Sequence, residues 1–200
     1  MKSPCDVRFI NLPKNTGTIS RLTFKGYRTF YLTCFLLTSR VFALQAQDID
    51  YSVHANIIYR FTKYIDWPEY KKTGDFVIGI VGETPLNEYL KTFVVNKMAG
   101  SQKIIVKTWS SSSSVFDCHI LFISENESSS LKKIAARTAG TPTLIVSEEE
   151  GLAQKGSCIN FIIVDDRLKL EFNKTNIEQR HLNIATELLG LGTIIKSSVR

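Results

Sequence analysis

Residues 52–68 set Val53, Ile57, Ile58, Phe61, Tyr64 and Ile65 at three- and four-residue steps, with Arg60, Lys63 and Asp66 between them. One apolar stripe of that period predicts an amphipathic helix. Ser52 is the expected N-cap, and Pro68 drives Trp67 out of the helical region and stops the helix. Beyond it the pattern changes to short apolar runs separated by helical spacings. Residues 76–82 (FVIGIVG), 103–109 (KIIVKTW), 118–124 (CHILFIS) and 141–148 (TPTLIVSE) have the length and β-branched content of strands. Residues 85–95 and 128–139 have helical spacing, 110–114 is a run of serines that reads as a loop, and 148–156 predicts a short acidic helix or turn. Residues 157–173 hold two strand-like runs about Asp165–Asp166, which predicts a hairpin. The tail, 175–195, reads as helix broken near 181–183.

Strands alternating with helices predict an α/β fold, a three-layer sandwich with a largely parallel central sheet, closed by a C-terminal β-hairpin and helix. No internal repeat is visible.

Charge changes the picture only at the amino end. The chain has 200 residues and a formal net charge of +6. Residues 1–46 hold seven Lys/Arg and one acid, whereas 47–200 hold 18 basic and 18 acidic residues. The basic excess belongs to the leader, and the domain after it exerts no net pull on phosphate, which argues against nucleic acid as a partner. Within the leader, a basic segment (21–28) precedes the apolar run 29–39, and small residues then offer cleavage after Ala43 or after Ala46. That order predicts an export signal, a leader over 1–46 and a mature domain over 47–200. Arg40 interrupts the apolar run well short of the ~20 residues a spanning helix needs. A retained signal-anchor is the alternative, and no stable membrane insertion is expected after cleavage.

Candidate chemistry is sparse. Cys118 and His119 are adjacent, and neighbours on a strand face opposite ways, so the pair is not expected to act as nucleophile and base. His54, His119 and His181 are far apart, and none has a partner at metal-ligand spacing. Gly79 and Gly82 lack the spacing of a dinucleotide-binding turn, with Pro85 where a third glycine would stand. The run 148–150 reads as a solvated helix start. No cofactor, metal or catalytic residue is expected. With the leader removed, Cys118 and Cys158 remain. Both open predicted strands, so a Cys118–Cys158 disulfide is the alternative to two buried thiols, provided the strands are neighbours. Arg60 and Lys63 on the polar side of the first helix, with Trp67 nearby, are candidates for a partner or dimer interface. A core position is the alternative for Trp67.

Several of these stretches also occur together in one family. A helix ending FTKYIDWP, then VIGIVGETPL, CHILFIS, TLIVSE leading to GLAQKGSCINF, RLKLEFN and a final LNIATELLGLG resemble, in order and spacing, the YfiR-like periplasmic regulators, over roughly residues 52–195. The resemblance implies a non-catalytic periplasmic protein, a homodimer, that binds the periplasmic part of an inner-membrane diguanylate cyclase and holds it inactive, lowering cyclic-di-GMP output and biofilm formation. It marks Cys118, His119, Lys169, Glu171 and Asn173 as motif positions. Two departures qualify it. The family's redox cysteine pairs are absent, because no cysteine lies between 47 and 117 and Cys158 stands alone after 118. Lys169 replaces an arginine, which keeps the charge but loses the planar fork. The alternative function is a small-molecule-sensing module coupled to another membrane partner, such as a sensor kinase or transporter.

Overall fold

The computed structural model describes residues 49–196. The leader expected over 1–46 and its expected cleavage positions lie outside the described residues. The first helix, α1 (Tyr51–Tyr64), buries His54, Ala55, Ile58 and Phe61. Its cap is Asp50 rather than Ser52: the Asp50 carboxylate accepts from the Ser52 amide at 2.9 Å and from the Ser52 hydroxyl at 2.5 Å. Either residue type can cap, and the carboxylate starts the helix earlier. The helix ends at Tyr64, and the extended residues before Pro68 form the two-residue strand β1 (Ile65–Asp66).

The main sheet is built from the chain beyond Pro68: β2 (Phe76–Val81), helix α2 (Leu86–Val94), β3 (Met98–Ala99), β4 (Gln102–Trp109), β5 (Ile120–Ile123), helix α3 (Leu131–Arg137), β6 (Leu144–Ser147), β7 (Ile159–Val164) and β8 (Arg167–Phe172). Short helices α4 (Lys174–Glu178) and α5 (Thr186–Leu189) flank β9 (Asn183–Ile184), and β10 (Thr193–Ile194) closes the described chain. The strand order is β10-β8-β7-β6-β5-β2-β4-β3. Neighbours from β4 through β7 are parallel, and β7–β8 and β3–β4 are antiparallel. The parallel block is wound outward in both directions from β2. Its inner strands β5 and β6 are buried at every position, because helices cover both faces. The three-layer α/β sandwich and the hairpin agree with the pattern in the sequence. At the hairpin, Asp165 and Asp166 both take positive φ, 51° and 58°, the geometry of a tight two-residue turn.

The tail holds less helix than the broken helix its spacing predicts: only Lys174–Glu178 and Thr186–Leu189 are helical. It breaks where expected, with His181 at φ 57°. Strand β9 comes next and pairs with β1 through Ile184 and Ile65. The last residues form β10, seated beside β8. Gly192 permits that seating: a Cβ there would stand 2.3 Å from the Leu170 carbonyl oxygen.

Candidate interaction surface and the motif residues

The Cys–His motif sits where β5 begins. His119 is 4 % exposed. Its Nδ1 accepts the Val77 N–H at 3.0 Å, and its Nε2, 2.8 Å from the Lys71 carbonyl, donates to it. That pairing fixes the neutral Nε2–H tautomer. The ring stacks on Phe76 at 4.3 Å and meets Trp67 edge-on at 6.1 Å. Burial holds its pKa below the ordinary histidine value. Both nitrogens are therefore committed to backbone, and the imidazole ties the 3₁₀ turn Glu69–Lys71 to the head of β2.

Cys118 is fully buried, with Sγ 3.9 Å from the Phe116 carbonyl, and burial pushes its thiol up to about 12. Cys158 is buried as well, and its thiol is likewise pushed up by burial. The sequence leaves open a disulfide between them, and the topology removes it. Both cysteines are free. They precede β5 and β7, and β6 lies between those strands. Two strand spacings of about 4.8 Å exceed the ~7 Å a bridge tolerates.

Of the other motif positions, Glu171 belongs to a polar seam across the hairpin. Ser147 donates to Asn160 Oδ1 at 2.7 Å, and Asn160 Nδ2 donates to the Glu149 carbonyl and to Glu171 Oε2, at 2.8 and 3.0 Å. Asn173 caps α4, accepting the Asn176 N–H at 3.0 Å and donating to the Ala153 carbonyl at 2.7 Å. Lys169 is exposed and makes no ion pair among the described residues. Glu171 thus draws its hydrogen bond from an amide rather than from a basic residue on its own strand.

Of the interface candidates, Trp67 is corrected. It is 5 % exposed and packs edge-on against Phe76 at 5.0 Å. The extended backbone before Pro68 carries its ring inward. Its Nε1 has no acceptor among the described residues. Arg60 and Lys63 are exposed on α1. Arg60 donates to Asn56 at 3.3 Å, and the Lys63 ammonium lies 4.9 Å from the Tyr59 ring centre.

Beside Arg60 opens an apolar groove of about 420 Å³, between the exposed side of α1 and the inner face of β8, with Val53, Ile57, Leu168, Leu170 and Leu191 on its walls. Val53 and Leu191 are 42 % and 55 % exposed. The cause is geometric: α1 covers β7 at Phe161 but stops short of the hairpin end, so Ile163, opposite Leu168, is also 48 % exposed. Sequence periodicity counts all of these as core, because a stripe does not reveal where its cover ends.

A second feature escapes the sequence. Ser124 and Glu148 stand just after β5 and β6 at the carboxyl edge of the parallel sheet, where open α/β sheets commonly bind ligands. Glu148 is half-buried rather than freely solvated. Its Oε1 accepts the Glu125 N–H at 3.1 Å, Oε2 is buried and unpartnered among the described residues, and burial raises its pKa to about 7. Tyr51 of α1 lies close to both Glu148 and Thr84. A run of three glutamates gives no hint that the first turns inward.

Fold and surface together define a doubly wound α/β domain whose two thiols and two of its histidines are sealed in the core. Residues 51–193 match the family model described as YfiR/HmsC-like, and the chain belongs to that family of regulatory proteins. None of the curated proteins matches it. Among the described residues no helix is long and apolar enough to cross a membrane.

Proposed function

We propose that this protein is an exported periplasmic regulator without catalysis of its own, which binds the periplasmic part of an inner-membrane diguanylate cyclase and holds it inactive. Family membership over nearly all of the described domain carries this reading. The groove between α1 and β8 is the surface we assign to the membrane partner. Its half-exposed Val53 and Leu191 supply the apolar centre of an interface, with Arg60 at the rim. A homodimer presenting two such grooves fits the family pattern.

The test is a strain carrying a neighbouring membrane cyclase. Deleting the regulator is expected to raise cyclic-di-GMP and biofilm. Val53→Asp and Leu191→Asp, both at exposed positions, should reproduce the deletion while the melting temperature stays within a few degrees of the parent. Unchanged cyclic-di-GMP on deletion overturns the reading. Full repression by both variants moves the interface away from the groove.

A further inference from the structure

Arg180, just after α4, is 6 % exposed. A guanidinium buried that deeply ordinarily faces a carboxylate, because an unpaired charge in the interior is costly. Among the described residues it belongs to none of the ion pairs. Its compensation is partial. Nη1 donates to the Thr138 carbonyl at 2.9 Å and to the Thr138 hydroxyl at 3.0 Å, and Nη2 donates to the Ala135 carbonyl at 3.3 Å. These acceptors lie at the C-terminal end of α3, whose dipole offers at most about half a unit of negative charge. The Cys158 thiol is not the missing counter-ion, since burial keeps it protonated.

Those three bonds leave Nε–H and one Nη2–H without an oxygen partner among the described residues, the guanidinium's other neighbour being the neutral Cys158 sulfur. That pair of donors is the side-on fork of a guanidinium, whose spacing matches the two oxygens of a carboxylate. Arg180 also lines a cavity of about 370 Å³, within the ~300–1,000 Å³ of small-ligand sites. Thr175 and Gln179 give that cavity neutral polar groups, Ala135 and Ala139 give it methyl walls, and no acidic residue lines it. Gly140 and Gly156 take φ of 72° and 126°, so neither position narrows it with a side chain. A Cβ at Gly156 would crowd that of Ala135 at 3.3 Å.

We propose that this cavity is a binding site for a small organic carboxylate, held on the free edge of Arg180 between the end of α3 and the start of the segment after α4. Thr175 and Gln179 complete its polar contacts, and the alanine methyls accept the apolar remainder. A bound carboxylate would brace α4 against α3 on the sheet face away from α1.

The site is independent of the identity of the membrane partner, and purified full-length protein tests it. Thermal unfolding is followed while acetate, succinate or inorganic phosphate replaces chloride at constant ionic strength. The expected result is a saturable rise in melting temperature with acetate and succinate, in the millimolar range. Arg180→Lys, which keeps the charge and loses the fork, should weaken binding at least tenfold. Ala139→Leu, at an exposed lining position, should fold normally and abolish binding by filling the cavity. The absence of a saturable rise beyond the chloride control overturns the site. Equal or stronger saturation by phosphate overturns the carboxylate assignment, and unaltered binding by Ala139→Leu overturns the location. A regulator that represses its cyclase normally yet binds no carboxylate loses this inference alone.

Discussion

Replacing His119 by alanine removes three kinds of interaction whose sizes the geometry separates. The Val77 N–H loses its acceptor. This donor lies one residue ahead of the β2–β5 ladder, which begins at Ile78, and leaving a buried donor unpaired costs about 1–3 kcal/mol. The Lys71 carbonyl loses one donor but keeps another, Gln102 Nε2 at 2.9 Å, so this loss is closer to the ~0.5–1.5 kcal/mol of an ordinary exchange with solvent. The ring's stack on Phe76 and its edge contact with Trp67 are worth about 0.5–1.5 kcal/mol. The expected total is about 3–5 kcal/mol. Urea unfolding at pH 8, where the imidazole is neutral in both states, reads it directly. With a slope of about 2 kcal/mol per molar urea, the midpoint should fall by roughly 2 M with the slope unchanged. His119→Asn, whose Oδ1 can stand where Nδ1 stood, should recover about 1–2 kcal/mol of the loss. A loss below about 1 kcal/mol, or an asparagine variant no better than alanine, would refute the clamp.

Other buried groups make equally definite demands. Burial holds His54 and His119 below the ordinary histidine value, so the unfolded chain binds more protons as acidity rises. Stability should be complete above about pH 6.5 and fall as pH drops below it, a loss that His54→Phe should reduce in chemical-denaturation profiles. Glu148 has the opposite sign. With its folded pKa raised to about 7, it withdraws stability as pH climbs from about 4.5 toward 7, so Glu148→Gln should add about 1–2 kcal/mol at pH 8 and nothing measurable at pH 4. Trp67→Ala should lower stability by about 3–5 kcal/mol in urea melts. Denatured, unreduced protein from the envelope should label at both Cys118 and Cys158, while the native protein labels at neither within minutes; a mass two hydrogens lighter would contradict the strand order.

What the sequence reveals and what it hides divide along a physical line. Periodicity finds α1, the parallel strands and the Asp165–Asp166 turn, because each is set by local spacing or by a residue's own backbone preference. Alternation along a strand is enough to separate Cys118 from His119. The interior partners of these residues are another matter. His119 bonds to Lys71, a residue 48 positions away, and Arg180 to Thr138, 42 positions away. No local window holds both ends of such a pair. Trp67 shows the same limit at closer range: its exit from the helix is legible from Pro68, but the ring's direction depends on Phe76, which folds back from the next strand. The disulfide question turned wholly on strand order, and the chain sequence of β5, β6 and β7 is their spatial order too. The cysteine spacing alone carried no information about that.

The placement of polar groups suggests how a domain without an exposed reactive centre can still respond to its surroundings. The two ends of the parallel sheet are unlike. At the carboxyl edge, Glu148 sits against Tyr51, the first residue of α1, with its pKa raised to about 7. At the amino edge, Arg180 and the end of α3 enclose a cavity floored by a cation without a full counter-charge. Either group can change the free energy of the helix it touches without moving the sheet between them, since a close-packed core transmits strain rather than absorbing it. The groove wall on α1 begins at Ser52 and Val53, within two residues of Tyr51. Protonation of Glu148 therefore acts on the same turn of helix that we assign to the membrane partner. On this argument, Glu148→Gln should flatten the pH response of partner binding between about 6.5 and 8, above the range in which His54 and His119 take up protons, and a parent-like pH response there in that variant would separate the carboxyl edge from the groove.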